Sequence, residues 1–179
     1  GAVSAQGLLA RAAVRRVQEA LAAAGSDAKV IALSETARTA QDAAKALGVP
    51  VGAIVKSLVF RSGDKAVLAL VAGDRNADPE AIARVLGLTE PVVRADADFV
   101  KAKTGQSIGG VAPVGHPEPI LTVIDESLSR FDRVWAAGGH PHCVFEVTPQ
   151  DLSRVTQITA SAISIGINLR TTSDRLNQP

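Results

Sequence analysis

Two apolar segments in the first half of the chain constrain its fold more than any other feature. Residues 54–60 (IVKSLVF) and 65–71 (KAVLALV) each have the length and the β-branched content of a strand. Between them lie Ser62, Gly63 and Asp64, which have the composition of a tight turn. We therefore predict an antiparallel hairpin, and with it a sheet in which consecutive strands are neighbours.

Apolar spacing, capping residues and helix-ending glycines predict helices on both sides of this hairpin. The first helix has its apolar residues at Leu9, Ala13, Val17 and Leu21 and ends at Gly25. The other predicted helices span residues 36–47, 78–86 and 96–104, and a last one opens at 148–151.

The order of the elements predicts the fold class. Further short strands are predicted at 29–33, 120–124, 133–137 and 143–147. Strands and helices do not alternate as they do in a doubly wound sheet, so we predict a mixed α/β (α+β) fold. Its centre would be a largely antiparallel mixed sheet surrounded by helices. In the last part of the chain, residues 157–179 turn polar, and we expect a tail that packs loosely or is ordered by a partner.

Composition limits the class of protein. The 179 residues fit one domain spanning 1–179, and 46% hydrophobic against 21% charged residues excludes general disorder. Aromatic residues make up only 3%, too few for a single-strand binder built on stacking. The net charge is +1 and like charges are dispersed, so we expect no DNA-binding surface. Any nucleic acid partner would be contacted locally, at one end.

Cysteine usage and hydropathy predict a cytoplasmic protein. Cys143 is the only cysteine, which excludes an intrachain disulfide and suits a reducing compartment. The longest apolar run, residues 66–72, is far shorter than a membrane span, and the first residues lack the pattern of a signal peptide. We therefore expect no membrane partner.

Lys56 stands out within the predicted hairpin. Strand alternation places it on the same face as Ile54, Leu58 and Phe60. A buried face would point an ammonium group inward, and an exposed face would leave three large apolar groups in water. Both arrangements indicate a lysine at the rim of a pocket, facing an anionic or carbonyl partner. The alternative is a lysine that extends from a strand edge into solvent.

A second feature is the segment 104–117, TGQSIGGVAPVGHP. Its glycines would let backbone amides approach a ligand closely and point together at an oxyanion or a phosphate. Gly110 and Gly115 have the spacing of a phosphate-binding loop, but His116-Pro117 replaces the Lys-Ser/Thr pair of such loops. Nucleotide hydrolysis is therefore not expected, and the choice is between a binding loop and a rigid turn.

A third feature is the segment 138–143, GGHPHC. Two histidines and a thiol suggest zinc, with His116 as the one further histidine, but no ligand set with metal spacing completes the site. We expect no metal and no other cofactor. Cys143 begins an apolar strand, which favours a core thiol over a nucleophile. A histidine that orients a substrate is the better interpretation of this segment.

The order of several motifs resembles the YbaK/prolyl-tRNA synthetase-associated editing domain family. The resemblance spans residues 30–156 and leaves out the N-terminal helix and the tail after Thr156. Its motifs are TAQDAA at 39–44, LGVP at 47–50, IVKSLVF at 54–60, GDR at 73–75, the Gly109–Pro113 loop, AGGHP at 137–141 and FEVTPQDL at 145–152.

This resemblance implies a mixed α/β fold and the hydrolysis of wrongly charged aminoacyl-tRNA, in trans, by a free-standing domain. Lys56 matches the lysine of the family, and the Gly109–Pro113 segment matches its glycine-proline loop. We expect Lys56, Gly109 and Gly110 to be catalytic: loop amides would hold the ester carbonyl, and Lys56 would bind the terminal adenosine phosphate or the aminoacyl group. The substrate-binding residues are expected to be Thr39, Ile54, Ser57, Val111, Ala112, Pro113 and His140.

The partner implied by the resemblance is the 3′ acceptor end of aminoacyl-tRNA. No residue in these motifs is a convincing general base, so the substrate's own 2′-hydroxyl or phosphate would activate water. Two alternatives stay open, a non-catalytic module that binds charged tRNA or a protein partner, and a zinc-dependent hydrolase using His116, His140 and His142. The amino acid removed, the tRNA and the oligomeric state do not follow from the sequence.

Overall fold

The predicted hairpin is present and lies at the centre of the sheet. A computed structural model describes residues 4–166. Strand β2 (Ile54–Ser62) pairs antiparallel with β3 (Lys65–Ala72), with Lys56 opposite Val71 and Ser62 opposite Lys65. Gly63 in the turn between them has φ +61°, a conformation that favours glycine.

Seven strands form the main sheet, in the order β1 (Ile31–Ala32), β8 (Cys143–Val147), β7 (Val134–Ala137), β2, β3 and β6 (Leu121–Ile124), with β5 (Val92–Arg94) paired to β2. Four of its strand pairs are antiparallel (β1·β8, β2·β3, β2·β5, β7·β8) and two are parallel (β2·β7, β3·β6). The prediction of a largely antiparallel mixed sheet is therefore confirmed.

Helices surround this sheet, as predicted. They are α1 (Ala5–Leu9), α2 (Ala12–Ala23), α3 (Ala40–Leu47), α4 (Pro79–Leu86), α5 (Ala97–Thr104) and α6 (Pro149–Thr156). Short 3-10 helices occupy Val51–Ala53 and Glu126–Arg130. Within residues 4–166, no helix combines the length and the apolar character needed to cross a membrane.

The sheet is buried on both faces. Val55 and Val59 of β2 point into a core shared with α2 and α6, whereas Phe60 of the same strand packs with Ile82 of α4 in a second core. Burial on both faces explains why β2 and β3 are continuous apolar runs rather than alternating ones. For the same reason, a charged side chain such as Lys56 is unusual in the first half of β2.

Two predictions about the helices near the N-terminus were wrong in detail. The predicted first helix is interrupted at Arg11, whose backbone is extended (φ −61°, ψ 140°). Leu9 therefore belongs to the separate helix α1, and it is 36% exposed. The buried stripe of α2 consists of Val14, Val17 and Leu21, because Val14 buries more apolar surface than Ala13. Helix α3 begins at Ala40 rather than near residue 36, since Thr39 is its N-cap.

The expected loose tail is also wrong for residues 158–166. There, β9 (Ser164–Gly166) pairs antiparallel with β4 (Arg75–Ala77), and Ile163 is fully buried. The buried carboxylate of Asp125 holds this segment, because it accepts hydrogen bonds from the Ile163 amide (3.0 Å) and the Ser164 hydroxyl (2.7 Å). The rest of the predicted tail, residues 167–179, lies outside the described residues.

Candidate active site

A cavity of about 410 Å³ lies beside the first half of β2. Its lining comes from β2, from the residues that lead into α3, from the 105–119 segment and from the end of β7. Six of the ten residues predicted for the site line it: Thr39, Ile54, Lys56, Ser57, Gly109 and Val111. The other four, Gly110, Ala112, Pro113 and His140, are not among its described lining residues.

Lys56 is half-buried in this cavity, at the place predicted from strand alternation. Its ammonium group donates a hydrogen bond to the backbone carbonyl of Arg75. Burial, together with the nearby charge of Arg94, lowers the pKa of Lys56, and Asp74 opposes the shift only in part. Asp74 is itself paired with Arg130, at 2.6 Å. Within the described chain no carboxylate lies within ion-pair distance of Lys56, so an anionic ligand would gain by meeting it.

Further cations surround the mouth of the cavity. Arg38 and Arg94 line it and are exposed, and neither pairs with a carboxylate among residues 4–166. The charges of Arg11 and Arg38 also act on His140 and, with burial as the largest cause, lower its pKa. Sequence reasoning missed this cluster because the cations come from separate parts of the chain. We infer that the cavity attracts an anionic ligand.

Both glycines of the loop are closely packed against neighbouring parts of the chain. Gly109 has φ +92° and lies against the side chain of Arg38, whose Cγ would be 3.1 Å from a Cβ at this position. A Cβ at Gly110 would lie 2.7 Å from the Cα of His140. Any side chain at Gly110 would therefore push against the backbone of a neighbouring loop.

The expectation that all the loop amides face the substrate is corrected by their hydrogen bonds. The Gly110 amide donates to the carbonyl of Ser107 (2.9 Å), and the Ala112 amide donates to Oε1 of Gln106 (2.7 Å). Pro113 has no amide hydrogen. The amides of Gly109 and Val111, which both line the cavity, have no partner among residues 4–166. Among residues 109–113, these two are the amides that the described residues leave without a hydrogen-bond partner.

The remaining lining residues divide into structural and polar groups. Ile54 is buried and forms apolar wall. Thr39 caps α3 by accepting from the amide of Asp42 (3.0 Å), so its hydroxyl already has one structural role. The hydroxyl of Ser57 is buried and has no hydrogen-bond partner among the described residues. Ser57 is therefore a polar group that a ligand could satisfy.

The histidines do not assemble a metal site. Nδ1 of His140 accepts from the amide of His142 (3.1 Å), and the ring of His116 is bonded to the Ala112 carbonyl. Within residues 4–166, no three His, Cys, Asp or Glu side chains are arranged to hold a metal ion. The zinc alternative therefore lacks a ligand set in this part of the chain. The substrate-orienting role of His140 stays a prediction.

Cys143 is a core residue, as its strand context indicated. Its side chain is fully buried, and burial raises the pKa of the thiol to about 11. A thiol with this pKa is protonated at neutral pH and is a poor nucleophile.

Comparisons with known proteins identify the family of the chain. A family model described as an aminoacyl-tRNA editing domain matches residues 34–155. A proline–tRNA ligase from Thermoanaerobacter sp. (strain X514) is 30% identical over 92 residues, which are 51% of this chain and 16% of the ligase. The uncharacterized protein YwhH of Bacillus subtilis (strain 168) is 35% identical over 102 residues, 56% of this chain and 64% of YwhH. The chain thus corresponds to a small part of the ligase.

Among solved structures, one described as a candidate trans-editing enzyme for prolyl tRNA synthetase superposes with a TM-score of 0.80. It is 41% identical in sequence, and the match covers 87% of this chain and 99% of that one. The family model spans well over half of the sequence and includes both Lys56 and the Gly109–Pro113 loop. These matches confirm the resemblance in motif order, and the chain belongs to the aminoacyl-tRNA editing domain family.

Proposed function

We propose that this protein hydrolyses the ester bond of mischarged aminoacyl-tRNA, acting in trans on the 3′ acceptor end. The observation that supports this most directly is the cavity of about 410 Å³, which is lined by the half-buried Lys56 and by Gly109 and Val111, whose amides have no partner among residues 4–166. A small aminoacyl group fits such a volume. The unpaired Arg38 and Arg94 at the mouth match the phosphates of an RNA end. Contact with one end does not need the long basic surface that the net charge of +1 argues against.

The amides of Gly109 and Val111 would bind the ester carbonyl and stabilise the negative charge that develops on its oxygen. Preorganised donors of this kind contribute most when they meet the transition state rather than the ground state. Lys56 would bind the terminal adenosine phosphate or the aminoacyl group. Gly110 would act indirectly in this scheme, by letting the loop pack against His140.

In the reaction, the oxygen of water bonds to the carbonyl carbon and the bond from that carbon to the ribose oxygen breaks. The ribose oxygen takes up one proton of the water and becomes a hydroxyl, and the free amino acid leaves. The described lining holds no Asp, Glu, His or Cys side chain that could act as a general base. We therefore assign activation of water to the substrate, through its vicinal hydroxyl or its phosphate.

The missing general base is also the observation that favours the second candidate, a module that binds charged tRNA without hydrolysing it. A deacylation panel separates the two. Purified protein is mixed with non-cognate tRNAs that carry alanine, cysteine, serine or threonine. The loss of the ester is followed against a buffer blank. We expect at least one ester to be hydrolysed well above the blank.

Hydrolysis of none of these esters, with saturable binding of one, would establish the binding module instead. If the protein neither hydrolyses nor binds any of these esters, the assignment to aminoacyl-tRNA is refuted. Repeating the panel after dialysis against EDTA tests the zinc hydrolase, because only that alternative requires activity to disappear and to return with zinc.

A further inference from the structure

We propose that Gln106 and His116 are positioning residues that hold the peptide groups on both sides of Ala112 and so aim the free amides of Gly109 and Val111 into the cavity. The catalytic part of this inference rests on the proposed function. Its structural part, that two side chains immobilise the loop, does not.

The amide and the carbonyl of Ala112 each make a short hydrogen bond to a side chain. Its amide donates to Oε1 of Gln106 at 2.7 Å, and its carbonyl accepts from Nε2 of His116 at 2.7 Å. Ala112 is fully buried and Gln106 is 1% exposed, so water does not compete readily for these bonds. Burial lowers the pKa of His116, and the carbonyl partner, which can only accept, assigns the proton of the neutral ring to Nε2. We call Gln106, His116 and Ala112 the loop clamp.

The loop clamp is attached to a helix. The hydroxyl of Thr104, the last residue of α5, accepts from the Gln106 amide at 3.0 Å and donates to the Val100 carbonyl at 2.7 Å. Thr104 is fully buried. Gln106 is therefore fixed relative to α5, and the position of Ala112 follows from that of the helix.

One feature of Gln106 indicates why the chain uses this residue. Its Nε2 is buried and has no hydrogen-bond partner among residues 4–166. An unpaired buried amide nitrogen is unfavourable, and an apolar side chain of similar size would avoid it. Leucine, however, would offer no acceptor to the Ala112 amide. The unpaired nitrogen thus accompanies an oxygen that the loop needs.

The consequence concerns the neighbouring donor. Val111 precedes Ala112 directly and lines the cavity, and its amide has no hydrogen-bond partner among residues 4–166. Movement of Ala112 would change the direction of the Val111 amide, and a donor displaced by about 1 Å loses much of its value in a transition state. Neither Gln106 nor His116 lines the cavity, so both act through the loop.

The test compares Gln106→Leu, which removes the acceptor, with Gln106→Glu, which keeps an acceptor oxygen. Ser62→Ala is the matched control, because its buried hydroxyl also donates to a backbone carbonyl (Glu90, 2.9 Å) in a different loop. The first readout is amide hydrogen exchange of the peptide spanning 107–114 in the free protein. The second is kcat and KM on the best ester of the deacylation panel.

We expect Gln106→Leu to speed exchange in 107–114 and to lower kcat at least about tenfold with KM within about twofold. Gln106→Glu should restore most of both, and Ser62→Ala should change neither. His116→Phe, which leaves Gln106 in place, should act in the same direction as Gln106→Leu and serves if the latter does not fold.

Unchanged exchange in Gln106→Leu and His116→Phe would refute the loop clamp whatever the enzyme does. Faster exchange with unchanged kcat would refute its part in catalysis. If the wild-type protein hydrolyses no ester, the proposed function fails, and the exchange measurement still decides whether these side chains hold the loop.

Discussion

Two cavities share the indole of Trp135, and they differ in how their charges are balanced. The larger, about 590 Å³, lies on one side of β7 and contains the ion pairs Arg133–Glu146 (3.2 Å) and Arg154–Asp151. The smaller, about 410 Å³, contains Lys56 and the exposed Arg38 and Arg94, none of which has a carboxylate partner in the described part of the chain. Volume alone would favour the first cavity. Uncompensated charge favours the second, because paired ions have little left to offer an anionic ligand.

The largest expected effect is that of removing the buried cation. Lys56→Ala should lower deacylation about 30- to 150-fold, because a charge-assisted contact is worth about 2–3 kcal/mol. Initial rates on the best ester measure this, with a melting curve to show that the variant folds. Lys45→Ala, on the exposed side of α3, is the matched control and should behave as wild type. Equal rates for the two variants would remove Lys56 from the site.

The next largest effect is expected at Gly110. A methyl group there would meet the backbone of His140 at 2.7 Å, so Gly110→Ala should destabilise the fold by about 1–3 kcal/mol and lower the rate about tenfold. Chemical denaturation and initial rates measure the two effects. Gly48→Ala also replaces a glycine, but its added Cβ would meet no atom within 4 Å; its φ of +67° strains an alanine, so stability should fall while the rate stays unchanged. A fully stable, fully active Gly110→Ala protein would contradict the close packing of the two loops.

The lowered pKa of Lys56 predicts a pH dependence of binding. The charged form binds the anion, so affinity should fall several-fold as pH rises through the pKa of Lys56, with a midpoint below the ordinary 10.5. Titration with a non-hydrolysable amide analogue of an aminoacylated RNA end measures this. In Lys56→Arg the fall should disappear, because arginine stays charged throughout. A midpoint at or above 10.5 would mean that Lys56 is not desolvated as the structure has it.

A smaller effect is expected at the mouth of the cavity. Arg38→Ala should weaken binding of the same analogue about two- to fivefold, since exposed charge contacts are worth about 0.5–1 kcal/mol. The loss should shrink as salt rises from 50 to about 500 mM, because the contact is screened. A loss that does not depend on salt would point instead to the packing of the Arg38 side chain against Gly109.

The smallest effect is expected in the larger cavity. Glu146→Gln breaks the ion pair with Arg133, both partners of which are partly exposed, and should change neither the rate nor the affinity by more than about twofold. The assay is the same deacylation and binding pair used for Lys56→Ala. A loss comparable to that of Lys56→Ala would show that the substrate extends across Trp135, and the two cavities would then be one site.

Local patterns predicted the hairpin, the starts of α4, α5 and α6 and the position of Lys56, because each depends on residues within a few positions of one another. That position 110 has no room for a side chain could not be predicted, since the obstacle is the backbone of His140, thirty positions further along the chain. The common location of Arg38 and Arg94 at the cavity could not be predicted either, because it depends on contacts between separate segments that a count of charges does not reveal. Strand β9 was missed because three residues carry no periodicity, and its place is fixed by the distant carboxylate of Asp125.

The indole between the two cavities makes the protein its own fluorescent reporter. Trp135 is the only tryptophan and the chain has no tyrosine, so emission excited near 295 nm comes from one position, on the wall of the proposed site. A ligand that enters beside Lys56 changes the environment of that single emitter, and one that enters beside Glu146 changes it from the other cavity. Quenching by a small neutral solute, measured in wild type and in Lys56→Ala, would then assign an unlabelled RNA end to one side of β7 or the other.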